Sequence, residues 1–439
     1  MAGSILLISV SGADSADITA AVLEHLAQCA ARVLDIGQAV IHGELNLGVL
    51  LQTPPGTAAA VLVASLNATL PLALQRHQVT VRVTALSAQR YARWLGEQAL
   101  PRHIVTLLAK RITTAHLGRV GAIVAAHGLQ IHSAARLSGR TSFEDDDVRD
   151  HPAIDSAAAE IAAAEIAAAE IAAADSAEES RSIVELELRG VLVDQQALRR
   201  NLMAIARTDA VDVAVQADDV YRRNRRLVAF DMDSTLIQGE VIDELAAAYG
   251  VGAEVAAITA AAMRGELDFA QSFRRRVALL AGASVALLDG VVAQLRLSDG
   301  AERLVRTLKR HGYRTAILSG GFQEVGERLR ARLGIDVVHA NRLEVRDGSF
   351  TGRVVGEVID GQRKAALLRE LVAREGLTLA QSIAVGDGAN DVPMLSIAGL
   401  GIAYRAKPVV ADSADHAISH LGLDAILYLI GFTERDLLD

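Results

Sequence analysis

Two carboxylates, Asp231 and Asp233, stand two residues apart directly after the apolar run Leu227 to Phe230. Just past the end of a buried strand, such a pair points into one small volume, where like charges repel unless a cation or a proton is shared. Chemistry has a use for that arrangement: one aspartate as nucleophile, its neighbour as proton carrier, beside Mg²⁺. A capped turn in which Asp233 or Ser234 merely starts a helix would leave the same trace, so the pair alone decides nothing. Three later clusters decide: Ser319-Gly320-Gly321, a lone Lys364, and Gly386-Asp387-Gly388-Ala389-Asn390-Asp391. Together they suit phosphoryl transfer, where catalysis is mostly positioning and charge neutralisation. Asp231 is the candidate nucleophile, splitting hydrolysis into two steps through an aspartyl-phosphate. Asp233 would protonate the leaving alkoxide and then deprotonate the attacking water. Mg²⁺ is expected between Asp231, the Asp233 carbonyl and Asp387, cancelling repulsion between phosphate and nucleophile. Ser319, the Gly320 amide and Lys364 would hold the equatorial oxygens, while Asn390 and Asp391 orient the surroundings of the cation and of Lys364.

Something must bring these residues together. Apolar runs at Thr315 to Leu318, Ser382 to Val385 and Leu400 to Ala403 alternate with helical patterns, the grammar of a doubly wound parallel sheet. Ligands of such sheets bind beyond the carboxyl ends of the strands, where the Asp231–Asp233 turn, Ser319-Gly320-Gly321 and the 386–391 cluster lie, while Lys364 starts a helix between the last two. The tract from Val241 to about Leu297 is helical throughout and reads as a separate insertion. The predicted fold class is therefore α/β: a parallel-sheet core at 227–240 and 298–439, with a helical cap at 241–297. Ahead of it, residues 1–95 read as βαββαβ, and the order repeats over 100–217. An internal duplication is expected. The second copy is interrupted at 141–181 by DSAAAEIAAAEIAAAEIAAADS, whose five-residue period turns Ile161, Ile166 and Ile171 onto different faces of a helix. An exposed helical or flexible arm is expected there.

The bulk numbers set limits. A chain of 439 residues exceeds one ordinary core, and its 51% apolar content with few aromatics favours packed helix and sheet layers. A formal charge of −9 speaks against a nucleic-acid binder. Arg222, Arg223, Arg225 and Arg226 form a basic cluster expected to be a solvated linker face. One cysteine, Cys29, the absence of a charged leader, and no run of about 18 apolar residues give the expectation of a cytoplasmic protein that does not cross a membrane.

The four clusters DMDST, SGG, Lys364 and GDGAND resemble the haloacid dehalogenase superfamily of phosphatases, from Leu227 to the end of the chain. An aspartate at position 233, where the related transport ATPases carry threonine, implies a hydrolase. Within the superfamily the cap is similar to that of the phosphoserine phosphatases. That resemblance implies Glu240 for a substrate ammonium group, Arg276 for its carboxylate, Met263 and Phe269 as apolar cover, and O-phospho-L-serine as substrate. Phe269 and Arg276, seven apart, share one helix face. The N-terminal copies resemble ACT domains, small modules that usually bind amino acids at paired interfaces, so a homodimer is expected. Their turn after the first strand usually reads G-x-D-x-x-G; here it reads SGADSADI, with Asp17 in place of the second glycine. The second copy has Lys110 and Arg111 at the corresponding turn, also without a glycine. Binding of L-serine and a purely dimerising role both stay open. Two rivals stand beside hydrolysis of phosphoserine: action on another small phosphorylated metabolite, as phosphatase or phosphotransferase, and an amino-acid-sensing scaffold with a vestigial catalytic half.

Overall fold

The computed structural model describes residues 3–139 and 181–437; the Ala/Glu-rich arm lies outside them, apart from Arg181. The chain forms two compact units, 1–100 and 101–439. In the first, β1 (Ile5–Ala13), α1 (Ile18–Ala27), β2 (Arg32–Ile41), β3 (Glu44–Gln52), α2 (Ala59–Ala73) and β4 (Val79–Leu86) build an antiparallel sheet of order β2-β3-β1-β4. Alternation sets its faces: Leu6, Ile8 and Val10 are buried opposite Leu51, Val49 and Leu47, and α1 closes over them with Ile18, Val22 and Leu26. Edge strand β2 leaves Val33, Ile36, Val40 and Ile41 exposed. A helix that the periodicity did not predict, α3 (Ala88–Gln98), ends the unit and buries none of its residues.

The second unit opens with the same arrangement. Here β5 (Arg102–Ala109), α4 (Thr114–Ala126), β6 (Gln130–Arg136), β7 (Ser182–Arg189), α5 (Gln195–Asp209) and β8 (Asp212–Ala217) give the order β6-β7-β5-β8. The duplication expected from the pattern is therefore present in the topology.

The core sheet runs β12-β11-β10-β9-β13-β14-β15, parallel except for β12. Its centre is β9 (Leu227–Phe230), four buried apolar residues with a parallel neighbour on each side, β10 (Arg314–Phe322) and β13 (Ser382–Gly386). The chain builds outward from β9 through β10 to β11 (Val337–Arg346), then returns to β13, β14 (Leu400–Tyr404) and β15 (His416–Ile418) on the other side. Between β9 and β13 the strand order reverses, which opens a crevice beyond their carboxyl ends. The expected helical tract is four helices, α6 (Val241–Tyr249), α7 (Gly252–Met263), α8 (Phe269–Ala278) and α9 (Val285–Gln294). They stand on a hairpin that the pattern missed, β11 with β12 (Ser349–Val355): Gly282 N donates to Phe350 O at 2.8 Å, and Phe350 N to Ala283 O at 2.9 Å. α10 (Ala301–Arg310) leads from the cap into β10, α11 (Gln323–Leu333) joins β10 to β11, and α12 (Gly361–Arg374) leads into β13. No helix among the described residues is long and apolar enough to cross a membrane.

The basic cluster before β9 is not the solvated linker face expected from its composition. Arg222 and Arg225 are 1% and 5% exposed, although Arg223 and Arg226 do face solvent. Arg222 pairs with Glu185 on β7, and Arg225 donates to Arg222 O at 2.9 Å and to Gly399 O at 3.2 Å. Contacts distant in sequence bury them: the segment is clamped between the second module and the core. Other ties join the same two parts, including Gln216 Nε2 to Leu429 O at 2.9 Å and the Ser419 and His420 amides to Asp212 Oδ2 at 2.9 and 3.0 Å.

His416 on β15 lies in this junction, and burial, followed by the charges of Arg199 and Arg225, pushes its pKa down to about 3 from 6.5. The folded state therefore binds fewer protons than the unfolded chain between those values. Stability is intact above pH 6.5 and is lost, by up to about 1.4 kcal/mol per pH unit, as pH falls toward 3. Urea midpoints should drop between pH 7 and pH 5 more in wild type than in His416→Gln. Equal drops would show that this imidazole carries none of the acid sensitivity.

Candidate active site

The residues beyond β9 are held by a wide turn closed by Ile237 N donating to Met232 O at 3.1 Å, five residues back. Within it Ser234 takes φ 54°, a left-handed conformation uncommon for a side-chain-bearing residue and typical of functional sites. Its amide donates to Gly239 O at 2.9 Å. The turn sends the two aspartates to different partners. Asp231 is anchored through its amide to Val385 O on β13 (2.8 Å); its Oδ1 accepts from Met232 N (2.7 Å) and its Oδ2 faces Lys364 Nζ (2.9 Å). Asp233 Oδ1 accepts from Val241 N, the first amide of α6, at 3.1 Å.

Lys364, in the first turn of α12, is fully buried, and its ammonium bridges Asp231 and Asp391, the latter at 2.7 Å. These two carboxylates outweigh the cost of burial and raise the lysine pKa above its ordinary value, so it is a cation at any working pH. The other oxygen of Asp391 accepts from the Asp387 and Gly388 amides at 3.1 and 3.0 Å, which fixes the loop after β13. Asp387 is itself touched by Thr235 Oγ1 at 3.3 Å. One buried cation does not balance this charge. Burial, then the neighbouring carboxylates, push Asp387 up to about 8; burial and the charge of Asp231 push Asp391 up to about 7. Asp233 rises well above the carboxylate range through burial, then Glu240 and Asp231.

Oxygen atoms of Asp231, Asp387 and Asp391 lie within 4.8 Å of one another, a cluster suited to a metal ion among the described residues. An all-oxygen, under-neutralised set fits a hard divalent cation such as Mg²⁺ rather than a softer metal. Asp231 and Asp391 each have both oxygens engaged, whereas Asp387 meets the single hydroxyl of Thr235, so Asp387 is the freest donor of the three.

The loop after β10 forms the opposite wall. Ser319 Oγ accepts from Gly321 N at 2.9 Å. A Cβ on Gly321 would overlap the Asp233 carboxylate, and one on Gly320 would overlap the Phe269 ring, so both glycines are needed for this close approach. Sequence reading missed the residue that holds this loop, Asn341 on β11. Its side chain donates to Gly320 O and accepts from Ile359 N, both at 2.8 Å. The available signal was weak, an asparagine in the mixed stretch VVHANRLEVR, and its burial is seen only in the fold.

From the cap, α8 begins at Phe269, with Asp268 accepting from Gln271 N at 2.7 Å, and carries Arg276 on the same face. Phe269 stacks on Phe273 (6.1 Å between centroids), and Phe273 meets Phe322 at the end of β10. Arg276 is buried, and its Nε has no hydrogen-bond partner among the described residues. Glu240 caps the start of α6, 3.5 Å from Ser234 Oγ; desolvation, then the charge of Asp231, raises its pKa, and Arg276 opposes the rise. Met263 stands apart from this group. It is 64% exposed, with its sulfur 3.8 Å from Lys407 Nζ, and in this conformation it covers nothing. Asn390 lies half-buried in the loop after β13, its Oδ1 close against Gly388.

Comparison with known proteins adds the following. Residues 228–396 match the haloacid dehalogenase-like hydrolases, and residues 4–84 match the ACT domain. The chain is 38% identical to the phosphoserine phosphatase of Streptomyces coelicolor over 98% of its own length and 93% of that protein's. It is likewise 38% identical to the phosphoserine phosphatase of Mycobacterium tuberculosis, over 98% and 94%. Among solved structures it is similar to a probable phosphoserine phosphatase from Vibrio cholerae, with a TM-score of 0.54 at 30% identity, over 74% of this chain and 86% of that one.

Proposed function

From its membership of the phosphoserine phosphatases, haloacid dehalogenase-like hydrolases that here carry an N-terminal ACT domain, we propose that this chain hydrolyses O-phospho-L-serine to L-serine and phosphate. The observation that carries the reading is the meeting of Asp231, Lys364 and Asp391, from the end of β9, the first turn of α12 and the loop after β13, at the point where the sheet reverses. Asp231 Oδ2 attacks phosphorus, forming a new P–O bond as the bond to the serine oxygen breaks. Asp233, whose pKa burial and then Glu240 and Asp231 push well above the carboxylate range, gives its proton to the departing alkoxide. It then takes a proton from the water that opens the aspartyl-phosphate. Lys364, Ser319 and the Gly320 amide hold the oxygens on which charge accumulates. Asp231, Asp387 and the Asp233 carbonyl would hold Mg²⁺, which when bound supplies neutralisation between carboxylates and phosphate. Asp391 keeps Lys364 and the 387–388 amides in place, and Asn390 shapes the same loop.

Glu240 would take the substrate ammonium and Arg276 its carboxylate, with Phe269 as cover and Met263 folding inward on closure. Phosphate release from O-phospho-L-serine, from phosphoethanolamine, which lacks the carboxylate, and from phosphoglycolate, which lacks the ammonium, tests this. Arg276→Met should cost about 10²-fold in kcat/KM on phosphoserine and much less on phosphoethanolamine, and Glu240→Gln should show the converse on phosphoglycolate. A wild-type preference for either analogue would remove both roles.

The exposed apolar edge at β2 supports assembly as a homodimer. Light scattering should give twice the 46.3 kDa chain mass at micromolar concentration, and a monomer there would refute it. The turn after β1 speaks against L-serine binding in the first module. Asp17 stands where a glycine would admit the ligand, and its carboxylate is engaged by Ser15 Oγ at 2.8 Å and Arg76 at 2.9 Å.

A further inference from the structure

The loop that carries Ser319 interrupts its own strand. Leu318 pairs with His339 and Phe322 with Asn341, so Ser319, Gly320 and Gly321 on β10 stand opposite Ala340 alone on β11. A bulge of that kind breaks the ladder and re-aims the residues within it. Side chains fill the gap: Gln323 Oε1 accepts from Ala340 N, and Asn341 Nδ2 donates to Gly320 O, both at 2.8 Å.

Asn341 does more than close the gap, because its Oδ1 accepts from Ile359 N, also at 2.8 Å. The two partners leave the amide one orientation, since a carbonyl oxygen only accepts and a peptide N–H only donates. At 2% exposure the side chain has no solvent to take over either bond. Ile359 leads directly into Asp360, whose carboxylate accepts from Arg363 N at 2.9 Å and starts α12, with Lys364 in its first turn. One buried amide therefore joins the wall that carries Ser319 to the helix that presents Lys364.

The consequence for Ser319 runs through a single peptide. Gly320 O and Gly321 N belong to one planar unit and point in opposite directions. Asn341 holds the oxygen end, and the N–H end donates to Ser319 Oγ at 2.9 Å. A hydroxyl oxygen engaged in this way keeps its own O–H to donate. Ser319 Oγ and Asp233 Oδ2 both come within 3.2 Å of the point where a Cβ on Gly321 would stand, so the hydroxyl lies beside the candidate general acid.

We propose that Asn341 is a positioning residue of the reaction: through the Gly320–Gly321 peptide it aims the Ser319 hydroxyl at the phosphoryl oxygens, and through Ile359 it keeps that hydroxyl in register with Lys364. The inference rests on the phosphoryl chemistry of the proposed function and not on the serine part of the substrate. Charge accumulates on the phosphoryl oxygens in the transition state, so lost aim is felt in turnover more than in binding.

The test is steady-state phosphate release from O-phospho-L-serine, with Mg²⁺ added, by wild type, Asn341→Ala, Ser319→Ala and the double variant, the fold being followed by near-ultraviolet circular dichroism. Asn341→Ala should lower kcat by about 30-fold. Its KM should stay within about threefold of wild type. In the Ser319→Ala background the same substitution should cost less than about threefold, because the hydroxyl that it aims is already gone. Asn341→Ser, which can span the same two groups with the help of one water, should be milder, and it takes the place of Asn341→Ala if that variant does not fold. An equal loss in both backgrounds, a loss carried by KM alone, or an unchanged kcat would overturn the proposal. Failure of both variants to fold would do the same, since Asn341 would then serve the sheet and not the reaction. A wild type inert toward phosphoserine but active on p-nitrophenyl phosphate would sink the substrate reading alone, and the same four-variant cycle on that ester then decides the role of Asn341.

Discussion

Asp231→Asn should lower phosphate release from O-phospho-L-serine by about 10⁴-fold or more, leaving the fold intact. An amide oxygen can still accept from Met232 N, and Lys364 keeps Asp391 at 2.7 Å, so the local structure loses little. What disappears is the attacking electron pair. Removing a nucleophile differs from removing a binding group: kcat falls, while substrate still enters beneath Glu240 and Arg276 with nearly unchanged affinity. Steady-state rates, a binding isotherm for the variant, and rapid quench of wild type with labelled substrate check the three parts. The label should appear on residue 231 and vanish in the variant. Label on any other residue, or turnover above about one per cent in carefully purified Asp231→Asn, would dismiss the mechanism.

Lys364→Met should be costly in a different way. Lys364 and Asp391 are fully buried and Asp231 nearly so; deleting the cation strands two carboxylates in a poorly solvated pocket. Breaking a buried pair from one side destabilises by about 3–5 kcal/mol. Asp391 already stands near 7 with the lysine present. Without it the carboxylates would hold protons to higher pH, so the folded variant would bind more protons than its unfolded chain. Its stability deficit should then be largest at alkaline pH and shrink as pH falls and those protons are taken up. Melting curves in excess chelator across pH 5 to 9 measure this, since added divalent cation would partly replace the missing charge. Turnover should fall by at least about 10³-fold. Asp391→Asn in the same background should recover part of the stability and none of the activity. A single variant as stable as wild type at pH 9 would mean that the ammonium does not hold these carboxylates.

How much of this was legible follows from where the information sits. Asp231, Asp233, Ser319, Gly320, Lys364 and the 386–391 loop could be picked out because each lies within a few residues of a strand end or a helix start, and an apolar run locates such an end. The core class followed from strands and helices in alternation, and the duplicated βαββαβ order from repetition. What escaped was set by distant contacts. The β11–β12 hairpin was hidden because its strands are polar on one face and serve as a platform for the cap. Asn341 matters through Gly320, 21 residues away. Arg222 and Arg225 looked solvated because four arginines within five residues usually are; their burial depends on Glu185, 37 residues back, and Gly399, 174 residues on. Met263 and Phe269 could not be separated by spacing, yet one is exposed and the other packs against Gly320.

The clamped linker bears on where the polypeptide tolerates being cut. A fragment begun at residue 218 would look natural by motif, since every candidate catalytic residue lies downstream. It would nonetheless strip Glu185 from Arg222, Arg181 from Asp424 and Gln216 from the Leu429 carbonyl, baring a seam that evolved as interior. The severable joint is the one near residue 100, and whoever trims this enzyme for expression or grafts its catalytic half elsewhere inherits the second module as part of the bargain.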